Sequence, residues 1–237
     1  MALNLSLLKK TILISFWANP LLAGVDIGRI IAYSGQYSAT IAAPHGSWDL
    51  NTKAIAQDTC KTISWNCVLA EGFRTMAEQF NVNRPTQGAN RSKHEESHTY
   101  TAQMIYRQFE QSIRSVDPRP ILYVELHGNS KQGKESIIEI ANVGLSFDQV
   151  LTIKEIFNDK LYESGLEDYE VLVEGVDPIY YRASACKEWG TLSHFSPSLH
   201  IELPRQLRSG RKSQALVQFL AASLPEILTI LPSRFHD

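Results

Sequence analysis

The segment PILYVELHG, residues 120–128, is close to a continuous apolar run, and it ends in a His-Gly turn. A run of this kind reads as a strand buried on both faces, which places it inside a sheet covered on each side. The neighbouring segments supply the cover. RIIAYSG (29–35) and SATIAAPHG (38–46) read as strands, the second closing on a Pro-His-Gly turn. NTKAIAQDTCKTI (51–63) has helical spacing, with Ala54, Ile55, Cys60 and Ile63 on one face. CVLAEGF (67–73) reads as a strand, and NVNRPTQGANRS (81–92) as a loop. A helix is expected over 95–115, with Tyr100, Met104, Ile105, Phe109 and Ile113 near a 3–4 repeat. SIIEIANVG (136–144) is expected to pair with the 120–128 strand, ahead of a helix at about 147–163 and the strand YEVLVEGV. DPIYYRASACKEWGTL (177–192) is irregular and aromatic, and reads either as a lid over the site or as core aromatics under a long loop. SLHIELP (198–204) reads as a last strand, and 211–231 as a terminal helix interrupted near Pro225. Strands alternating with helices in 237 residues argue for one α/β domain with a mainly parallel or mixed sheet.

Net charge is −2, so there is no electrostatic case for nucleic acid as a partner. Residues 1–23 have a basic start, an apolar centre and a cleavage-like Leu-Leu-Ala23, the outline of a secretory signal; a buried first strand or helix is the other reading. The stretch is too short and interrupted for a stable membrane span. The expectation is a single domain over 24–237, either exported or cytoplasmic. Cys60, Cys67 and Cys186 lack C-x-x-C spacing; export would permit one disulfide, and otherwise all three are buried thiols.

Function in α/β sheets collects beyond the carboxyl ends of strands. Here those ends carry His45 with Asp49, His127, and Glu202 followed by Arg205 and Arg208, while Asn83 and Arg84 lie on a loop. Two histidines with one carboxylate are a common catalytic zinc set with an open position. A further carboxylate that is not a ligand moves the proton of the attacking water, a role that suits Glu202. Arginine holds a substrate carboxylate through paired hydrogen bonds, which makes Arg84, Asn83 and Arg205 the substrate-binding candidates. A competing motif is HEESH, residues 94–98, with the letters H-E-x-x-H; on a helix it would give a zincin-type protease using His94 and His98.

Four short pieces carry a resemblance. They are Pro-His45-Gly with Asp49 and Thr52 downstream, Asn83-Arg84 on a loop, His127-Gly128 at a strand end, and Ile201-Glu202-Leu203 on a late strand. In this order the chain resembles the N-formylglutamate amidohydrolase family and the related poly-γ-glutamate hydrolases, within the zinc carboxypeptidase-like group. The family's acid is usually glutamate where this chain has Asp49. The resemblance implies a three-layer α/β/α sandwich around a mixed sheet, zinc held by His45, Asp49 and His127, and Glu202 as base. The expected activity is hydrolysis of an amide bond in an N-acyl amino acid or a peptide bearing a carboxylate. The alternative is a hydrolase-like binding module without turnover.

Overall fold

The structure, a computed structural model, describes residues 13–17, 28–75, 79–88 and 92–232. The strands are β1 (Leu13–Trp17), β2 (Arg29–Tyr33), β3 (Tyr37–Ala43), β4 (Trp65–Glu71), β5 (Phe80–Asn81), β6 (Thr86–Gln87), β7 (Leu122–Asn129), β8 (Ile137–Val143), β9 (Glu170–Val173) and β10 (Ser198–Pro204). The helices are α1 (Thr52–Ile63), α2 (Tyr100–Val116), α3 (Phe147–Glu163), α4 (Ser184–Trp189), α5 (Thr191–His194) and α6 (Gly210–Thr229). Eight strands form one sheet in the order β1-β2-β4-β3-β7-β10-β8-β9. The centre, β4-β3-β7-β10, is parallel, and antiparallel pairs occur at β1-β2, β2-β4 and β10-β8.

The central strands do have two buried faces. Leu122, Val124 and Leu126 of β7 and Leu199, Ile201 and Leu203 of β10 enter one core with α1, α3 and α6. The opposite face meets α2, α4 and α5 through Ala102, Ile105, Phe109, Ile113, Cys186 and Leu192. The result is the expected three-layer α/β/α sandwich around a mixed sheet. One pairing differs from the sequence reading: β8 lies beside β10 and β9, not beside β7. β10 takes the place next to β7 because a parallel neighbour carries its own alternation of apolar and polar residues into register there.

Of the candidate leader at 1–23, only Leu13–Trp17 falls within the described residues, and its backbone pairs with β2 as an edge strand. Cys60, Cys67 and Cys186 are all buried free thiols. No helix among the described residues is long and apolar enough to cross a membrane.

Candidate metal centre

Period-two alternation on β7 sends Tyr123, Glu125 and His127 to the face opposite Leu122, Val124 and Leu126. On β10 the same rule sends His200 and Glu202 to that face. The two strands are parallel, with His200 opposite Glu125 and Glu202 opposite His127. Four buried polar side chains therefore form a square on one face of the sheet. Glu-x-His runs along one edge, and His-x-Glu along the other.

His45 and Asp49 come from the turn that follows β3. The Asp49 amide donates to the His45 carbonyl (2.8 Å), so this turn is one helical cycle with both side chains on the same side. Thr52 fixes it by donating its hydroxyl to the Asp49 carbonyl (2.8 Å). Asp49 does not cap α1, whose N-cap is Asn51 in the left-handed region at φ 68°. Arg208 ties the turn to the sheet: it donates to the carbonyls of Leu50, Leu203 and Asn129. Its guanidinium passes so close to Gly128 that a Cβ there would lie 2.5 Å away, which explains a glycine immediately after His127.

Asp49 Oδ2 lies 3.5 Å from His45 Nδ1 and 3.6 Å from His127 Nδ1. Those spacings are long for hydrogen bonds. They fit the edge of a tetrahedron drawn by ligands about 2.0–2.2 Å from zinc, an edge of about 3.4 Å. All three residues are buried. Two imidazole nitrogens and one carboxylate oxygen are a zinc-type donor set, so the residues fit the metal.

Burial, and after it the Arg74 guanidinium beside the ring, pushes His45 down to about 3, so the imidazole is neutral. Burial also lowers His127, but Asp49 and Glu125 on either side outweigh it and raise the group to about 9. In the absence of metal a proton thus sits on His127 between two carboxylates, where a cation is electrostatically welcome. Burial raises Asp49, yet contact with His127 and His45 holds it well below the usual carboxylate range.

Sequence reasoning missed Glu125 and His200. Glu125 is fully buried and accepts from His127 Nε2 (2.9 Å), Asn83 Nδ2 (2.7 Å), Tyr123 Oη (3.0 Å) and the Thr191 hydroxyl. With Nε2–H committed to Glu125, Nδ1 of His127 is the atom left for a metal; a carboxylate behind a ligating imidazole fixes tautomer and ring orientation. The signal was present in ELH and HIE, since a charged or ionisable residue two before a functional one on a strand shares its face.

The loop candidates are placed as follows. Arg84 gives Nε (2.9 Å) and Nη2 to buried Glu96 and Nη1 to Asn83 Oδ1 (3.2 Å), leaving one N–H on each Nη. Asn83 thus bridges Arg84 and Glu125. Arg205 is exposed, lines the same 890 Å³ cavity as the metal-type trio, and makes no ion pair among the described residues. Glu96 belongs to HEESH, but 93–95 form a turn and α2 begins only at Tyr100, capped by the Thr99 side chain. His94 and His98 are exposed, and neither joins a metal-competent cluster among the described residues. The zincin alternative fails because the motif is not helical, so its histidines are not stacked one turn apart.

The irregular aromatic segment folds partly into α4 and α5. Its Tyr180 and Tyr181 amides donate to Glu139, a buried carboxylate on β8 (3.2 and 2.9 Å). Tyr181 lines the cavity; burial, then the charge of Glu202, pushes it up to about 12.

No family model matches the sequence, and no curated protein matches it. Solved structures do. The bacteriophage poly-γ-glutamate hydrolase is 8% identical, with 84% of this chain and 88% of that one covered at a TM-score of 0.53. N-formylglutamate amidohydrolase from Ralstonia eutropha is 11% identical, with 85% and 97% covered at 0.54. A carboxypeptidase A-like protein from Shewanella denitrificans is 10% identical, with 93% and 66% covered at 0.51. The fold of this chain is therefore that of the carboxypeptidase-like hydrolases, as the four short sequence pieces implied.

Proposed function

We propose that the protein is a zinc-dependent hydrolase that cleaves an amide bond in an N-acyl amino acid or a peptide bearing a carboxylate. The observation that supports this best is Asp49 Oδ2 set 3.5 and 3.6 Å from two histidine Nδ1 atoms in a buried corner of the cavity. His45, Asp49 and His127 would hold the ion. Zinc held there would supply Lewis-acid chemistry, polarising a carbonyl and lowering the pKa of water toward about 7.

Glu202, in register beside His127, is the base: its carboxylate takes the proton of the attacking water and delivers it to the leaving nitrogen as the C–N bond breaks. The two free N–H groups of Arg84, together with Arg205, bind the substrate carboxylate. Asn83 holds Arg84 in place. Tyr181 and the segment around it limit water at the same mouth.

Elemental analysis of wild type, His127→Ala and His98→Ala tests the metal assignment. The expected result is about one zinc per chain in wild type and in His98→Ala, and none in His127→Ala. Loss with His98→Ala instead would remove the proposal. Glu202→Gln is expected to keep the metal and lose turnover by about 10²–10⁴-fold on N-formyl-L-glutamate, poly-γ-glutamate or the N-acyl amino acid hydrolysed fastest. Full activity in that variant would reject the mechanism.

A further inference from the structure

His200 has no part in the proposed zinc-binding trio, yet it is 6% exposed and forms one corner of the polar square. Its Nε2 is 3.0 Å from Glu202 Oε1. Its Nδ1 makes no hydrogen bond and stands 3.7 Å from Glu125 Oε2. An imidazole with one engaged and one unengaged nitrogen facing a carboxylate donates through the engaged one, so Nε2 carries the proton toward Glu202. The ring also lies over His127, with centroids 4.1 Å apart and planes 30° from parallel, which blocks the rotation that would break the bond.

We infer that His200 is a positioning residue for the Glu202 carboxylate: it pins Oε1 by an Nε2–H hydrogen bond and so leaves Oε2 to face the reacting water. This inference rests on the reading of Glu202 as base. Its logic is local. Glu202 sits on a strand next to His127, and no arginine or lysine pairs with it among the described residues. A glutamate without such a partner needs another group to fix which oxygen faces the site, and a general base must hold that oxygen within hydrogen-bond reach of the proton it takes. The neighbour two residues back on the same face is the shortest route to that order. His200 itself is held by register between Glu125 and the ring of His127. Glu125 fixes His127 by a hydrogen bond and His200 packs on that ring, so the square acts as one rigid unit behind the site.

The test has two arms. In long-range 1H–15N spectra of 15N-histidine-labelled, zinc-loaded protein, His200 should show a protonated Nε2 with a downfield proton. That proton should move upfield in Glu202→Gln, where a charge-assisted bond becomes a neutral one. A bare Nε2, or a proton indifferent to Glu202→Gln, overturns the inference, and this arm needs no substrate.

In the kinetic arm, His200→Leu should lower kcat roughly 10- to 100-fold, with KM and zinc content little changed. His200→Gln, whose amide nitrogen reaches the place of Nε2, should recover most of the loss. Equal impairment of the Leu and Gln variants at full zinc content would show that the donor is irrelevant and end the inference. If Glu202→Gln is inactive while His200→Leu works like wild type, only the role of His200 fails. If Glu202→Gln itself turns over fully, the base assignment fails, and this role fails with it.

Discussion

Glu125 shows how much one buried side chain can settle. It has no solvent exposure, and its four donors come from three separate places on the chain: Asn83, Tyr123 and His127 on β7, and Thr191. Burial raises its pKa, but the contact with His127 holds it well below the usual carboxylate range, so it is an anion. An anion there turns His127 Nδ1 toward the proposed metal position. Glu125→Gln is expected to lower zinc affinity about 10- to 100-fold, read by chelator competition, because a neutral amide holds the imidazole less firmly and without charge. Glu96 acts on Arg84 in a similar way. Glu96→Gln should raise KM for a carboxylate substrate about tenfold while kcat changes less, since a loosened guanidinium affects binding in ground and transition states alike. At this scale, His45, Asp49, His127 and Glu202 were legible as candidates because ionisable residues at strand ends stand out, and the fold places them near one another. Glu125 and His200 were not, because inside an apolar strand a polar letter looks like an interruption. Only the register of β7 against β10 shows that two such interruptions answer each other.

Elements decide which of the local motifs count. HEESH has the letters of a metal-binding helix, but Thr99 caps α2 after it and leaves the motif in a turn. What survives is Glu96, whose carboxylate holds Arg84. The helices α1 and α3 and the strands β7 and β10 were legible to within a few residues, because their apolar residues keep a recognisable spacing. The partner of β8 was not legible, because pairing is a long-range choice among strands of similar pattern. Two predictions belong to this scale. Gly128→Ala places a Cβ against the Arg208 guanidinium, which three carbonyls hold in place, so the guanidinium cannot swing away freely. A loss of about 1–3 kcal/mol is expected in denaturant unfolding, with weaker zinc binding because Arg208 also anchors the Asp49 turn. Deleting residues 1–17 removes β1 and leaves the edge of β2 unpaired. Size-exclusion chromatography of that truncation should show self-association absent from the full chain, as open edges pair with one another.

At the scale of the whole molecule, the site joins pieces that the chain keeps far apart. The turn after β3 brings His45 and Asp49, β7 brings His127 and Glu125, and β10 brings Glu202 and His200. Parallel strands make this convergence natural, since each crossover returns the chain so that its carboxyl end opens on the same side. The cost is a set of buried ionisable groups that the folded state must hold together and the unfolded state need not. Under the proposed assignment, a cation shared by His45, Asp49 and His127 would offset that cost, because it would bind only where the three are assembled. Removing zinc with a chelator should therefore lower the melting temperature, and restoring it at about a hundred times Kd should return about 2.7 kcal/mol. For a domain of this size that is a shift of about 5–10 °C in calorimetry. His127→Ala should melt at the same temperature with and without zinc, whereas His98→Ala should keep the full shift. A zinc-dependent shift that persists in His127→Ala would place the ion elsewhere, and the convergence of the three segments would then need another explanation.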